Sequence, residues 1–271
     1  QPNPIVEMGL FMDRDGIPLS MCITSGSDNE QTTAIPLEQQ MTKMLKGKKF
    51  IYCADAGLGS FNIRNFNSMG GRAFIVTQSI KKLSDPLKEA VFNDFDYRLL
   101  STDEPVSLEH MKNFDRFDKT NEGLYNDRAY KVLTADRAID TGLYEEKVCK
   151  NGKVRNVKSK AVLKQKIIIS FSRKMMEYQR YIRNRQIERA KKLLKSLDPE
   201  TYKKGPHDVT RFIKRTSSTK SGEKINDRYE LDQSVIDEEE KYDGFYAVAT
   251  NLDDSAKDII EISSNRYKIE D

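Results

Sequence analysis

The first residue with chemical potential is a carboxylate at the end of an apolar run. Asp55 follows Phe50-Ile51-Tyr52-Cys53-Ala54 and precedes Ala56-Gly57-Leu58-Gly59-Ser60. The run reads as a short buried strand and the small residues after it as a tight turn. Open α/β sheets bind ligands at the carboxyl ends of their strands, and a carboxylate placed there can hold a divalent cation through oxygen. Asp at such a position also serves simply as a helix cap, so Asp55 has two readings. Glu270 is the second candidate. It follows Arg266 by four residues, so on a helix the two face the same way. On spacing alone this is a surface ion pair worth about 0.2–0.5 kcal/mol.

Other chemistries are poorly served. The chain has two histidines, His110 and His207, and three scattered cysteines, Cys22, Cys53 and Cys149. A zinc centre built on several His and Cys is not expected, nor is a Ser–His–Asp hydrolase. A metal here would be a hard cation held by carboxylates. There is no Gly-x4-Gly-Lys-Ser/Thr loop for ATP. The cysteines are too few for a disulfide framework and are expected as free thiols in a reducing compartment. No stretch approaches the ~18 apolar residues of a membrane span.

Charge is unevenly spread. The 271 residues carry 46 Lys+Arg and 42 Asp+Glu, a net +4. Residues 147–215 hold 22 of the basic residues and only 5 of the acidic ones, leaving 24 and 37 for the remainder. A basic middle in an acidic remainder suits either a polyanion-binding surface or a solvated, charge-rich helix.

The elements that must position these groups follow from patterning. Ile5–Met12 and Ile17–Thr24 read as strands joined at Asp15-Gly16, a hairpin signal. Ser25–Thr33 is polar and turn-rich, and Pro36–Leu45 is helical, ending at Gly47. Lys49–Ala54 is the strand before Asp55, Ser60–Met69 a helix and Arg72–Thr77 a further strand, a β-β-α-β-α-β order typical of an α/β layer fold. Residues 80–140 read as charged and irregular. Leu143–Cys149 and Val154–Val162 flank Asn151-Gly152, a second hairpin signal. Lys166–Phe171 is a buried strand. Ser172 caps a long basic helix, Arg173–Leu197, whose apolar stripe is expected at Met175, Tyr178, Ile182 and Ile187. Thr216–Asp227 reads as an exposed loop and Glu238-Glu239-Glu240 as a solvated turn. Gly244–Thr250 is a strand, and a last helix capped by Asp253 or Asp254 runs from about Ser255 to the terminus.

Taken together, several segments resemble the DDE transposases of bacterial insertion sequences. Gly9-Leu10-Phe11-Met12-Asp13-Arg14-Asp15-Gly16-Ile17-Pro18-Leu19 resembles that family's strand–turn–strand, and Ser25–Glu30 with Thr33 the polar loop after it. Ala54-Asp55-Ala56-Gly57-Leu58, with Ser60 and Asn62, is similar to the segment bearing the second catalytic Asp. Asp243–Leu252 resembles the strand before the final helix. Arg266-Tyr267-Lys268-Ile269-Glu270 resembles the Arg-x3-Glu part of the Tyr-x2-Arg-x3-Glu-x6-Lys signature. The likeness spans most of the chain and is weakest between about residues 80 and 140. Two departures stand out: Ser263 occupies the signature's Tyr position, and its Lys would fall past Asp271. Asp13 and Asp15 sit at a hairpin turn and substitute poorly for the family's first catalytic Asp, which is expected upstream of Gln1. With no initiator Met, the chain is expected to be an internal fragment, inactive by itself.

The resemblance implies an α/β fold: an RNase H-like mixed sheet with flanking helices, interrupted by a large α+β insertion. It implies three parts: 1–79 as the first part of the catalytic core, 80–241 as the insertion with the basic helix, and 242–271 as the closing strand and helix. It implies metal-dependent phosphodiester hydrolysis and strand transfer, with Asp55 and Glu270 as catalytic ligands of two Mg²⁺ (or Mn²⁺) ions. Arg266, and Arg180, Arg183, Arg185, Arg189, Lys191 and Lys192 of the basic helix, would contact double-stranded DNA at transposon ends and target, with a homodimer in the active complex. The setting would be a bacterial or archaeal cytoplasm, at the nucleoid. Two alternatives remain open: a non-catalytic DNA-binding remnant, and an RNase H-like nuclease without strand transfer.

Overall fold

A computed structural model describes residues 6–13, 15–44, 50–149, 152–196, 203–205, 207–219 and 225–264. In chain order the elements are β1 (Val6–Met12), β2 (Pro18–Ser25), α1 (Glu30–Met44), β3 (Ile51–Ala54), α2 (Phe61–Phe66), β4 (Ala73–Thr77), α3 (Asp85–Phe92) and β5 (Arg98–Leu99). Then come α4 (Leu108–Asn113), α5 (Glu122–Asn126), β6 (Ala129–Thr134), β7 (Arg137–Val148), β8 (Val154–Leu163), β9 (Lys166–Phe171) and α6 (Arg173–Lys195). The last are β10 (Ile213–Thr219), β11 (Ile225–Leu231), α7 (Gln233–Glu240), β12 (Phe245–Thr250) and α8 (Ala256–Ser264).

The protein is mixed α/β, with helices flanking a mixed central sheet of six strands in the order β3-β4-β12-β9-β6-β5. Strand β3 is parallel to β4, and β12 is antiparallel to β4. The described residues fall into two compact units. One draws on the ranges 1–105, 130–170 and 246–271, the other on 106–129 and 171–245. The stretch 80–241, expected as a single insertion, contributes β5, β6 and β9 to the central sheet. Among the described residues no helix is long and apolar enough to cross a membrane.

In the first unit, Ile75, Ile168 and Val248 from three neighbouring strands pack with Ile259 and Ile260 of α8. The side chain of Ser255, rather than Asp253 or Asp254, caps that helix by accepting the Asp258 amide at 3.1 Å. The β1–β2 ribbon is antiparallel, with Gly16 at φ +84° in its turn. Asp13 Oδ1 accepts the amides of Asp15 and Ile17 there, each at 2.9 Å. Val6, Met8, Met21 and Ile23 stand exposed on one face of the ribbon. Helix α1 starts at Glu30, six residues before the expected start, because Asn29 Oδ1 accepts the Gln31 amide at 3.1 Å and caps it. Pro36 therefore lies inside the helix. The expected stop at Gly47 lies outside the described residues.

In the second unit, Ile187 and Ala190 of α6 pack with Phe212, Ile213 and Ile236. Ser172 caps α6 as expected, accepting the Met175 amide at 3.4 Å. Its buried stripe is Met176, Arg183, Ile187 and Ala190, whereas Met175 and Tyr178 are exposed. The stretch expected as an exposed loop at 216–227 pairs instead: β10 and β11 form an antiparallel ribbon. The acidic run Glu238–Glu240 ends helix α7 and is ion-paired: Glu239 meets Arg211 at 2.8 Å and Glu240 meets Arg180 at 3.4 Å.

Beside these pairs, Asp243 lies deep in the unit and leads into Gly244. Gly244 has φ +81°, and a Cβ added there would stand 2.6 Å from Phe171 Cε2 and 2.8 Å from the Ser172 carbonyl oxygen. Both the left-handed backbone and the close approach require glycine. Gly244→Ala should lower the unfolding free energy by about 2–4 kcal/mol. A shifted urea midpoint would register this, and an unchanged midpoint would show that the approach is not tight.

Candidate functional site

Asp55 stands immediately past β3, on the first unit, with its carboxylate exposed. Its Oδ1 accepts the amides of Gly57 at 2.9 Å and Leu58 at 3.1 Å, so the residue does close the turn that follows it. The turn is held from three sides. Gln31 Nε2 of α1 donates to the Gly57 carbonyl at 2.8 Å. The Tyr52 hydroxyl of β3 donates to the Leu58 carbonyl at 3.1 Å. Arg64 Nε of α2 donates to the Gly59 carbonyl at 2.8 Å. Three successive carbonyls and two amides are thereby satisfied, which leaves the loop little freedom to move the carboxylate. Gly59 is buried against β4: a Cβ on it would lie 3.2 Å from the Asp55 carbonyl oxygen and 3.2 Å from Val76 Cβ.

A buried carboxyl acts on Tyr52. Glu38 on α1 is inaccessible to solvent and accepts from Asn67 Nδ2 at 2.9 Å. Its second oxygen, Oε1, and the Asn67 Oδ1 have no hydrogen-bond partner among the described residues. Burial pushes the Glu38 carboxyl above its usual range, against the Asn67 hydrogen bond and the attraction of Arg72. Burial, and after it the Glu38 and Asp55 carboxylates, also push the Tyr52 phenol well up, so it stays a neutral donor to the loop.

An opening of about 310 Å³ adjoins the Asp55 loop, bordered by Ala56, Gly59 and Ser60 of that loop, by Thr77 at the end of β4 and by Gln78 and Ser79 after it. Arg64, Lys82 and Arg137 also line it. Composition did not single out these three cations. One signal was available: Arg64 is the sole charged residue between Asp55 and Arg72.

The other expected site residues separate. Glu270 and Arg266 lie outside the described residues. On α6, Arg183 is buried and bidentate to Asp243, its Nη1 and Nη2 each 2.6 Å from a carboxylate oxygen. Asp243 and Glu240 hold its guanidinium more firmly protonated, outweighing burial, which acts first and in the opposite sense. Arg180 is shared between Glu240 and Asp243 at 3.4 and 3.5 Å. Lys191 pairs with Glu188 at 2.7 Å. Arg185, Arg189 and Lys192 are exposed, with Arg185 beside the exposed Tyr181 ring at 5.7 Å.

Mg²⁺, which the resemblance implies, takes oxygen ligands in octahedral array. The exposed Asp55 carboxylate fits as one such ligand. Among the described residues no group of three His, Cys, Asp or Glu that could hold a metal is present. Comparison with protein-family models gives no match, and comparison with curated proteins gives none either.

The buried Glu38–Asn67 pair leads to a prediction. A carboxyl whose folded pKa is raised favours folding while protonated. That contribution is complete below the ordinary value of 4.5 and is lost as pH rises through the folded value. Glu38→Gln cannot ionise, so its stability relative to the parent should improve as pH climbs from about 4.5 and then level off. Urea titrations across that range check this; a pH-independent difference would contradict it.

Proposed function

We propose that the chain is the catalytic region of a DNA transposase with an RNase H-like core, cutting and joining phosphodiesters at insertion-sequence ends with Mg²⁺ or Mn²⁺. The observation that carries this reading is the exposed Asp55 carboxylate at the carboxyl end of β3, fixed on a turn whose Gly57, Leu58 and Gly59 carbonyls and Gly57 and Leu58 amides are hydrogen-bonded. The order of the resembling segments along the chain supports it. Asp55 would be one metal ligand and Glu270 another. Arg266 would face a DNA phosphate; the roles of Arg266 and Glu270 rest on the sequence resemblance. The chemistry that bound metal supplies is activation of water or a 3′-hydroxyl and stabilisation of the leaving oxygen. The protein's own part is to hold the Asp55 oxygens still, which Gln31, Tyr52 and Arg64 do through the turn.

DNA contact by α6 falls to its exposed cations. Arg185, Arg189 and Lys192 present charge to solvent, and Tyr178 and Tyr181 present aromatic faces beside them. Such a surface contacts backbone phosphates without reading sequence. Arg183 is committed to Asp243 and shapes the helix instead.

Two measurements test the reading. Expressed with whatever sequence its gene places before and after it, the protein should cut and join transposon-end DNA in Mg²⁺. Asp55→Ala should abolish cutting while end binding persists; retained cutting would sink the assignment. Cutting without joining of paired ends would make it a nuclease, and binding without cutting by the parent a non-catalytic remnant. Separately, Arg185→Glu, Arg189→Glu and Lys192→Glu together should weaken duplex binding. The slope of log affinity against log salt should flatten by roughly 0.9 for each phosphate no longer neutralised. Unchanged binding would return this helix to a solvated face.

A further inference from the structure

The opening beside the Asp55 loop has a charge balance that calls for a ligand. Three cations reach it from three separate elements: Arg64 from α2, Lys82 from the turn after β4, and Arg137 from the start of β7. Among the described residues, none that lines it is an Asp or Glu. Arg64 is half-buried and pinned. Its Nη2 donates to Gln78 Oε1 at 2.8 Å and its Nη1 to Gln165 Oε1 at 3.4 Å. Both glutamines are themselves fixed, donating to the Ser79 and Ala135 carbonyls at 2.9 and 2.8 Å. These contacts, with the Gly59 carbonyl, use three of the five guanidinium N–H groups. Arg137 lies over the Phe61 ring at 4.3 Å, exposed to solvent on its other side. The hydroxyls of Ser60 and Ser79 line the same space, and neither caps the helical turn that follows it.

Arg64 and Arg137 oppose one another. Burial, and then the charge of Arg137, lower the Arg64 guanidinium to about 10. Two like charges held near one another are relieved by an anion. A planar guanidinium with spare N–H groups, a mobile ammonium and two hydroxyl donors match the several oxygens of a phosphoryl group better than a flat carboxylate. At about 310 Å³ the space is at the small end of ligand clefts, which run from about 300 to 1,000 Å³.

We propose that this opening is a phosphoryl-anion site formed by Arg64, Lys82 and Arg137 with Ser60 and Ser79. Its natural occupant is a phosphodiester of the DNA backbone, brought beside the Asp55 turn; that part rests on the transposase reading, whereas the anion site itself does not.

The experiment uses the 271-residue chain, pyrophosphate and a labelled DNA duplex, with Lys82→Gln and Arg137→Gln as variants. Both side chains are exposed, so thermal unfolding should match the parent and exclude a folding defect. Each variant should bind pyrophosphate and duplex about tenfold more weakly, the loss of one hydrogen bond to a charged group. Loss on the duplex alone also supports the site and assigns it to the DNA backbone. Loss on pyrophosphate alone keeps the anion site but removes DNA as its occupant. Unchanged binding of both probes overturns the proposal, and strong duplex binding in that case leaves the transposase reading standing.

Discussion

The antiparallel pairing of β12 with β4 sets Val248, Ala249 and Thr250 opposite Thr77, Val76 and Ile75. Side chains extend it at one end. The Thr250 hydroxyl donates to the Phe74 carbonyl at 2.7 Å, and Asn251 Oδ1 accepts the Phe74 amide at 2.9 Å. At the other end the Gln78 amide donates to the Ala247 carbonyl at 2.8 Å. Thr250 is fully buried, so losing its partner would leave a polar group stranded at a cost of about 1–3 kcal/mol. The opposite edge of β4 carries β3, and β3 delivers Asp55. Thr77, Gln78 and Ser79, which wall the cationic opening, are the last residue of β4 and its direct continuation. Both the carboxylate and the proposed phosphoryl site are therefore referenced to this one junction.

Within the second unit, charge plays a different part from the one its abundance suggests. The basic surplus of residues 147–215 invites the reading that every cation on α6 faces a polyanion. Instead the inner side of the helix is neutralised from within its own unit: Asp243 takes Arg183, and Glu240 stands near Arg180 and Arg183. A buried pair such as Arg183–Asp243, whose side chains are 7% and 5% exposed, adds little net stability but is severe when one partner is removed. Only the outer cations remain for a partner. Net charge over a segment thus overstates the charge available at its surface.

Turn chemistry made much of the fold legible. Asp15-Gly16 marked the first ribbon and Ser172 the start of α6, because both are local backbone requirements. Strand β6 escaped notice for a physical reason. Lys131 sits in its middle and is buried, its ammonium donating to the Ala90 and Asn93 carbonyls at 2.8 and 2.9 Å. A lysine satisfied by backbone carbonyls contributed by α3 and its C-cap has no signature in a hydropathy pattern. The β10–β11 ribbon was hidden similarly, since Thr216-Ser217-Ser218-Thr219 is polar and its pairing is a main-chain matter. At the candidate site, Asp55 was legible from the apolar run before it. Gln31 was not, because the carbonyl it holds is 26 residues away in sequence, and for Arg64 the isolation of its charge was a signal but its hold on the Gly59 carbonyl was not.

The junction of β12 with β4 also bears on how the protein reaches its folded state. Phe74 and Asn251 are 177 positions apart in the chain. Closing so long a loop must precede any return from the contacts it makes, which slows folding for topologies of this kind. During synthesis β3 and β4 emerge long before β12, the strand that covers β4 on its far side. Until then Phe74, Ile75 and Val76, inaccessible in the finished sheet, lack one neighbour of their final packing. The same topology that flanks β4 with a strand from far along the chain leaves β4 exposed to misassociation while the polypeptide is being made.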